Sequence, residues 1–145
     1  MLKLNQSILD ELNRDALRTF PDECCGFLIG RDVDDHRIID QIIVVDNNKE
    51  GDKKRRFEIS PLDYLEAEKY ADENGLTLLG IYHSHPNHPS VPSEHDRVAA
   101  QPFFSYLIIS VRQDEIVSHQ SWRLNDDFQF VEEQVESEKQ IETIK

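Results

Sequence analysis

Apolar residues recur at helical spacing near the start of the chain and form short continuous runs in several later segments. The helical spacing predicts an amphipathic helix after Ser7, a suitable N-cap, and this helix must end at Pro21. A second helix is predicted to begin at Ser60-Pro61, where a capping serine precedes proline, and to end at Gly75. A third, short helix is expected to start at Ser93.

The apolar and β-branched runs between these helices predict β-strands. Residues 24–30 and 37–45 form the first two, and the polar stretch between them indicates an antiparallel hairpin. The remaining predicted strands cover residues 76–83, 106–111, 116–122 and 128–131, with a short extended piece at 57–59. Strands interspersed with helices in this way predict an α/β fold around a mixed sheet.

The length and composition of the chain indicate one compact domain, since 145 residues suffice for one hydrophobic core. We predict that this domain occupies residues 1–131 and that the Glu-, Gln-, Ser- and Lys-rich segment 132–145 is an acidic tail or a docked helix. No apolar run approaches the ~20 residues of a membrane-spanning helix. Because the first residues also lack the pattern of a signal peptide, we predict a cytoplasmic protein with no membrane partner.

Charge restricts the classes of partner. The formal net charge is −13, which would repel nucleic acids and anionic lipids and favours proteins or peptides instead. The basic run Lys53-Lys54-Arg55-Arg56 is an exception, interpreted as a solvated turn, with a local binding patch as the alternative. The adjacent residues Cys24 and Cys25 are predicted to be reduced thiols, because a disulfide between neighbours would be strained.

Four of the six histidines lie between positions 83 and 95, which indicates a metal site. Side chains on a strand alternate between its faces, so His83 and His85 can present two imidazoles to one ion. Asp96, at the start of the next helix, would supply a third ligand and leave a fourth position for water. Two histidines and a carboxylate without cysteine indicate catalytic zinc, although the same ligand types would also suit non-heme iron.

The spacing of these residues resembles a known signature. The sequence His83-Ser84-His85-Pro86 is followed, after seven residues counted from His85, by Ser93 and, after two more, by Asp96. This pattern resembles that of the JAMM (MPN-plus) zinc metalloproteases and isopeptidases, in particular compact prokaryotic members. Glu23, in the stretch PDECCG, is similar to the upstream glutamate of that family. The resemblance runs from about residue 9 to residue 123.

The resemblance implies a fold and a set of roles. The expected fold is a cytidine-deaminase-like JAMM/MPN domain, with a mixed, curved sheet flanked by helices. Zinc would be held by His83, His85 and Asp96, with Glu23 as general acid and base. Ser93 would donate a hydrogen bond to the oxyanion and would also cap its helix. The other two clustered histidines, at positions 88 and 95, are interpreted as non-ligands on a loop and on an outward helix face.

The resemblance also implies an activity. We expect a zinc-dependent metallo-isopeptidase or peptidase that cleaves at the C-terminus of a ubiquitin-like or sulfur-carrier-type protein. The short chain leaves little room for the insertions found in members that process polyubiquitin chains. A catalytically silent MPN-type scaffold is the alternative, although such members typically lose metal ligands. A nucleic-acid-associated relative is disfavoured by the acidic composition.

Overall fold

An eight-stranded mixed sheet forms the centre of the computed structural model, which describes residues 1–138. The strands are β1 (Leu2–Asn5), β2 (Cys25–Val33), β3 (His36–Val45), β4 (Thr77–Pro86), β5 (Ser105–Arg112), β6 (Glu115–Leu124), β7 (Phe130–Glu133) and β8 (Val135–Glu138). The helices are α1 (Gln6–Thr19), α2 (Pro61–Glu73) and α3 (Glu94–Ala99). The strand order across the sheet is β7-β6-β5-β4-β2-β3-β1-β8.

The pairing of the strands makes the sheet mixed and curved. The central strand β4 pairs antiparallel with β2 and parallel with β5, and β1 runs parallel to both of its neighbours, β3 and β8. β8 also contacts β6 although the two are far apart in strand order, so the sheet bends towards closure. The predicted mixed, curved sheet flanked by helices is therefore confirmed.

Each face of the sheet buries its own core. Helix α1 covers one face, where the core includes Leu12, Leu28 and Tyr82. Helix α2 covers the other, where Phe27 and Ile81 are fully or almost fully buried. At roughly 1.5–3 kcal/mol for each large side chain removed from water, these two cores are the main source of stability. The second core also forms the floor beneath the histidine cluster.

The helices begin and end close to the predicted positions, with one correction. The N-cap of α1 is Asn5, whose Oδ1 accepts a hydrogen bond from the N–H of Ile8, and the predicted cap Ser7 lies inside the helix. The earlier start follows from the short strand β1, which was too short to predict and which ends at the capping residue. The predicted caps Ser60 and Ser93 are confirmed for α2 and α3.

The largest changes from the predicted strand boundaries are at the ends of β2 and β4, while β7 begins two residues later than predicted, after a turn at Phe128. The hairpin between β2 and β3 turns through only two residues, Asp34 and Asp35, both at positive φ, as tight hairpins require. Strand β4 continues past the predicted end at residue 83 and includes His85 and Pro86, because β5 pairs with it from Gly80 through Pro86. Both clustered histidines of β4 are thus held in a regular, paired strand.

The segment from residue 132 onward differs from the prediction as far as it is described. It was expected to be a frayed tail or a helix, but β7 extends to Glu133 and β8 covers Val135–Glu138. The physical reason is pairing: β8 adds to the free edge of β1, with Leu2 opposite Val135, and Val135 packs against the core beneath α1. Residues 139–145, the rest of this predicted segment, lie outside the described residues.

Two further predictions concern membrane-spanning helices and the two cysteines. Within residues 1–138, none of the helices has the length and apolar character needed to cross a membrane. Cys24 and Cys25 are both free thiols and both buried, in agreement with the prediction that they are reduced.

Candidate metal centre

Strand β4 positions the two central histidines. The alternation of side chains along the strand places His83 and His85 on the same face as Ile81, which packs beneath α2. In the adjacent strand β2, Cys25 lies directly opposite His83. Glu23, two residues before Cys25, is therefore brought to the same end of the sheet as the histidines.

Helix α3 supplies the aspartate through its own N-terminal cap. The Oγ of Ser93 accepts a hydrogen bond from the N–H of Asp96 (3.0 Å), and the Oδ2 of Asp96 accepts one from the N–H of Ser93 (2.9 Å). This reciprocal capping box fixes the side chain of Asp96. Because six residues are too few for an independently stable helix, the cap is important for holding the carboxylate in place.

Three ligand-type atoms converge at the centre. The Nε2 atoms of His83 and His85 are 3.1 Å apart, and the Oδ2 of Asp96 lies 3.4 Å from the first and 3.1 Å from the second. All three side chains are almost completely shielded from solvent. The predicted ligands, 13 positions apart at the extremes, thus meet around one point.

The protonation of these groups suits a cation. The Nδ1 of His85 lies 2.8 Å from the carbonyl oxygen of Pro89, which can only accept, so the proton of the neutral ring is on Nδ1 and its Nε2 is free. Burial lowers the pKa of His83, which favours its neutral form. Burial opposes ionisation of Asp96, but the two imidazoles and the N–H of Ser93 hold its pKa below the usual range.

The separations provide a test of fit for a tetrahedral metal ion. Zinc binds nitrogen and oxygen at about 2.0–2.1 Å, so neighbouring ligand atoms in a tetrahedral site are about 3.3–3.4 Å apart. The observed 3.1, 3.1 and 3.4 Å are close to this value. Two neutral imidazole nitrogens and a carboxylate oxygen all present lone pairs to the same point, and a cation is what such a set binds best. The residues fit zinc.

Glu23 lies beside the three converging atoms. One of its carboxylate oxygens is within 4.8 Å of ring nitrogens of both His83 and His85. The residue is only 3% exposed, and its Oε1 has no hydrogen-bond partner among the described residues. Burial, and then the charge of Asp96, raise the pKa of Glu23 to about 9, while Arg56 acts in the opposite direction. A buried carboxyl group without a partner is suited to exchanging protons with a reactant.

Ser93 combines its capping role with access to solvent. Its Oγ accepts from the N–H of Asp96, so its own hydroxyl hydrogen remains available to a bound molecule. Ser93 is exposed and lines a cleft together with Glu23 and His85. The structure thus brings all five predicted site residues to one end of the sheet.

Two cavities border the candidate metal centre. The cleft lined by Glu23, His85 and Ser93 has a volume of about 600 Å³ and is also lined by His88. A second cavity, about 310 Å³, is bordered by His83, Asp96 and His95. The rest of its wall is mostly apolar, formed by Phe57, Ile59, Tyr64, Ile81, Ala99 and Tyr106. His88 and His95 are both exposed, as predicted.

Three residues that support the site were not predicted from the sequence. The Oγ of Ser84 accepts a hydrogen bond from the N–H of Cys24 (2.8 Å) and fastens the segment that carries Glu23 to β4. The ring of Phe57 stacks on His83, with ring centroids 4.4 Å apart. Asn47 donates to the carbonyl oxygen of Glu23 (3.2 Å). Because side chains alternate along a strand, Ser84 could have been predicted on the opposite face of β4 from the two histidines. No periodic pattern identifies Phe57 or Asn47.

The fold and the site together define a JAB-type domain: two histidines on a central strand and an aspartate on the helix that follows it. The sequence model of the Prok-JAB family, described as prokaryotic homologs of the JAB domain, matches residues 5–125. The chain therefore belongs to this family, and the predicted membership of the compact prokaryotic JAMM/MPN group is confirmed.

Individual relatives are similar over most of the chain. The probable TtuB-protein conjugate cleaving protease of Thermus thermophilus is 32% identical over 108 residues, 74% of this chain and 69% of that protein. The desampylase of Haloferax volcanii is 32% identical over 105 residues, 72% of this chain and 73% of that protein. The solution structure of a protein from Desulfitobacterium hafniense superposes with a TM-score of 0.84 at 31% identity. That superposition covers 98% of this chain and 96% of the other.

Proposed function

We propose that the protein is a zinc-dependent isopeptidase or peptidase that cleaves an amide bond at the C-terminus of a ubiquitin-like or sulfur-carrier-type protein. The observation that carries this proposal is the convergence of His83, His85 and Asp96 within 3.4 Å of one another, with Glu23 beside them. A protein-binding scaffold without catalytic activity would not need to keep these three side chains buried together.

The three converging residues would hold the zinc ion. When bound there, zinc would supply a Lewis acid for the scissile carbonyl and would make a water molecule acidic enough to react near neutral pH. His85 is oriented by the carbonyl oxygen of Pro89, and Asp96 by the N–H of Ser93. These outer hydrogen bonds keep both ligands in place before any substrate arrives.

Glu23 and Ser93 would carry out the proton transfer and the charge stabilisation. Glu23 would take the proton from the attacking water and return it to the leaving amine, since one of its carboxylate oxygens lies within 4.8 Å of the histidine nitrogens and it lines the cleft. The free hydroxyl hydrogen of Ser93 would be donated to the oxyanion that forms on the carbonyl. One such donor contributes about 2.7–4 kcal/mol in well-studied hydrolases.

The substrate class is supported by the relatives and by the shape of the site. Two relatives at 32% identity are named as a conjugate-cleaving protease and a desampylase. Two separate cavities border the candidate ligands, which provides room for polypeptide next to the scissile bond. The chain net charge of −13 further favours a protein substrate over a nucleic acid.

Metal content tests the ligand assignment without a substrate. We expect one zinc ion per chain in the purified protein by elemental analysis, and loss of stoichiometric zinc in Asp96→Ala and in His85→Ala. The matched control is His88→Ala, an exposed histidine of the same loop region that should keep the metal. Full zinc retention in His85→Ala would show that the ligand set is wrong.

Turnover tests the catalytic assignment. A ubiquitin-like protein joined through its C-terminal glycine to a peptide amine serves as the substrate. We expect the zinc-loaded protein to cleave it, and Glu23→Gln to keep its zinc but lose activity at least ~100-fold. A zinc-loaded wild-type protein that cleaves no such conjugate would favour the scaffold alternative, and a fully active Glu23→Gln protein would exclude Glu23 as the base.

A further inference from the structure

The cleft beside Glu23 is lined by positively charged residues, which is unusual in so acidic a chain. Four of the sixteen basic residues are consecutive, at positions 53–56, in a chain that carries 29 acidic residues. Arg55 and Arg56 from this run line the cleft together with Glu23, His85 and Ser93. Residues 53–55 form an exposed turn, as predicted, and the arginines of this run line the reaction cleft.

The segment that carries these arginines is fastened to the backbone of Glu23. The Nδ2 of Asn47 donates to the carbonyl oxygens of both Glu23 (3.2 Å) and Arg56 (3.0 Å). The N–H of Glu23 donates to the carbonyl oxygen of Lys53 (2.7 Å). On its other side, the Oδ1 of Asn47 accepts from the N–H of Glu58 (3.1 Å). These bonds fix the backbone on either side of Arg55 relative to the backbone of Glu23.

The guanidinium groups are available to a ligand. Arg56 is half-buried and makes no ion pair with any carboxylate of residues 1–138. Arg55 has one exposed contact, to Asp52 at 3.8 Å, and pairs of this kind contribute little. Because the rest of the protein is strongly acidic, an anionic group would be repelled from most of its surface and attracted here.

We propose that Arg55 and Arg56 form a subsite for a carboxylate on the leaving-amine side of the substrate. This inference rests on the proposed function, in which Glu23 returns a proton to the leaving amine. The amine must then depart on the side of the cleft that Glu23 occupies, and the two arginines occupy the same side. A carboxylate close to the amine matches the planar, two-pronged donors of guanidinium groups. Its source is either an acidic side chain or the α-carboxylate of a released amino acid.

Binding of leaving-side peptides tests the subsite without turnover. The probes are the zinc-loaded protein with fluorescent Gly-Glu-Glu-Lys-amide and the matched Gly-Gln-Gln-Lys-amide, each with a free N-terminal amine and the dye on lysine. Fluorescence anisotropy should show about 5- to 10-fold tighter binding of the acidic peptide, with the preference decreasing as salt is raised. Displacement of the acidic probe by alanine but not by alaninamide would identify the α-carboxylate as a ligand of the same subsite.

Variants assign the preference to the two arginines. The double variant Arg55→Gln/Arg56→Gln should bind the acidic and amide peptides equally. Arg14→Gln, which removes an exposed positive charge on α1, should keep the preference. Equal affinity of the wild-type protein for both peptides, or a preference that survives in the double variant, would overturn the proposal. Since affinity is measured without hydrolysis, failure of the subsite and failure of the isopeptidase proposal are separate results.

Discussion

A single oxygen atom links the start of a helix to the metal centre. The Oδ2 of Asp96 accepts from the N–H of Ser93 and faces the Nε2 atoms of His83 and His85. Asp96→Ala would therefore remove the proposed ligand and a helix cap together. Substitution of Ser93 removes one cap acceptor and leaves the carboxylate in place, which makes the two roles of this pair separable by experiment.

The raised pKa of Glu23 predicts how the metal-free protein responds to pH. Its folded value is about 9, against about 4.3 in an unfolded chain. Between these values the folded state retains a proton that the unfolded state has lost, so the free energy of unfolding decreases as pH rises. The contribution is complete below about pH 4.3 and is lost as pH rises through about 9.

Urea unfolding in the presence of a chelator measures this effect. Between about pH 5.5 and about pH 8.5, wild-type protein should lose more stability than Glu23→Gln, in which position 23 does not titrate. Parallel pH profiles for the two proteins would mean that the pKa of Glu23 is not raised by its surroundings.

The proximity of the candidate site residues could be predicted from the sequence because four of the five lie within positions 83–96, where ligand spacing is local. Glu23 needed the family resemblance, because one carboxylate among 29 acidic residues carries no local signal. Asn47 and Phe57 lie in a segment of irregular backbone, where no periodicity relates a side chain to its neighbours. Their contacts are set by tertiary structure alone.

At the scale of elements, β2 and β4 approach closely at one glycine. A Cβ at Gly26 would lie 2.3 Å from the carbonyl oxygen of Ile43 and 2.4 Å from the ring of Tyr82. The absent side chain lets Tyr82 pass over β2, and its hydroxyl donates to the Oδ2 of the buried Asp15 on α1 (2.8 Å). The glycine thus allows α1 to be tied to the strand that carries the histidines.

Gly26→Ala should therefore lower the free energy of unfolding by about 2–3 kcal/mol or more, because neither the backbone carbonyl nor the buried ring can move freely. Gly51→Ala is the matched control, since its positive φ carries strain but no atom lies within 4 Å of the new methyl group. Its cost should be about 1 kcal/mol. Chemical unfolding of both variants gives the comparison, and equal losses would contradict a clash at Gly26.

Elements with their own local signals were predicted well, and those that depend on distant pairing were not. The N-caps of α2 and α3, Ser60 and Ser93, can be recognised directly in the sequence. Strands β1 and β8 are four residues each and depend on pairing with distant segments, β1 with β3 and β8, and β8 with β1. The apolar periodicity of one segment does not indicate which strand, more than a hundred positions away, will pair with it.

At the scale of the whole molecule, the pairing of β1 with β8 joins the two ends of the described chain. Ending the chain after Glu133 would remove β8 and uncover the edge of β1 and the side of the α1 core that Val135 covers. We expect a loss of about 2–4 kcal/mol from the free energy of unfolding, from backbone hydrogen bonds and apolar burial.

The measurement is urea unfolding of the full chain, of the chain ended after Glu133 and of the chain ended after Glu138. The third variant isolates the contribution of residues 134–138. If the two shortened proteins have the same stability, β8 contributes nothing and the proposed role of this edge is wrong. The zinc content of each variant shows whether any loss reaches the metal centre.

The shared hydrogen bonds of Asn47 also bear on how such proteins diverge. The side-chain amide of Asn47 fixes the backbone of Glu23 and that of Arg56, so an insertion between Asn47 and Arg56 would disturb both at once. Replacement of Arg55 or Arg56 by another side chain leaves those bonds unchanged. If the two arginines select the substrate as proposed, lineages that conserve the length of segment 47–56 could change substrate preference by point mutation at these positions while the backbone of Glu23 stays in place.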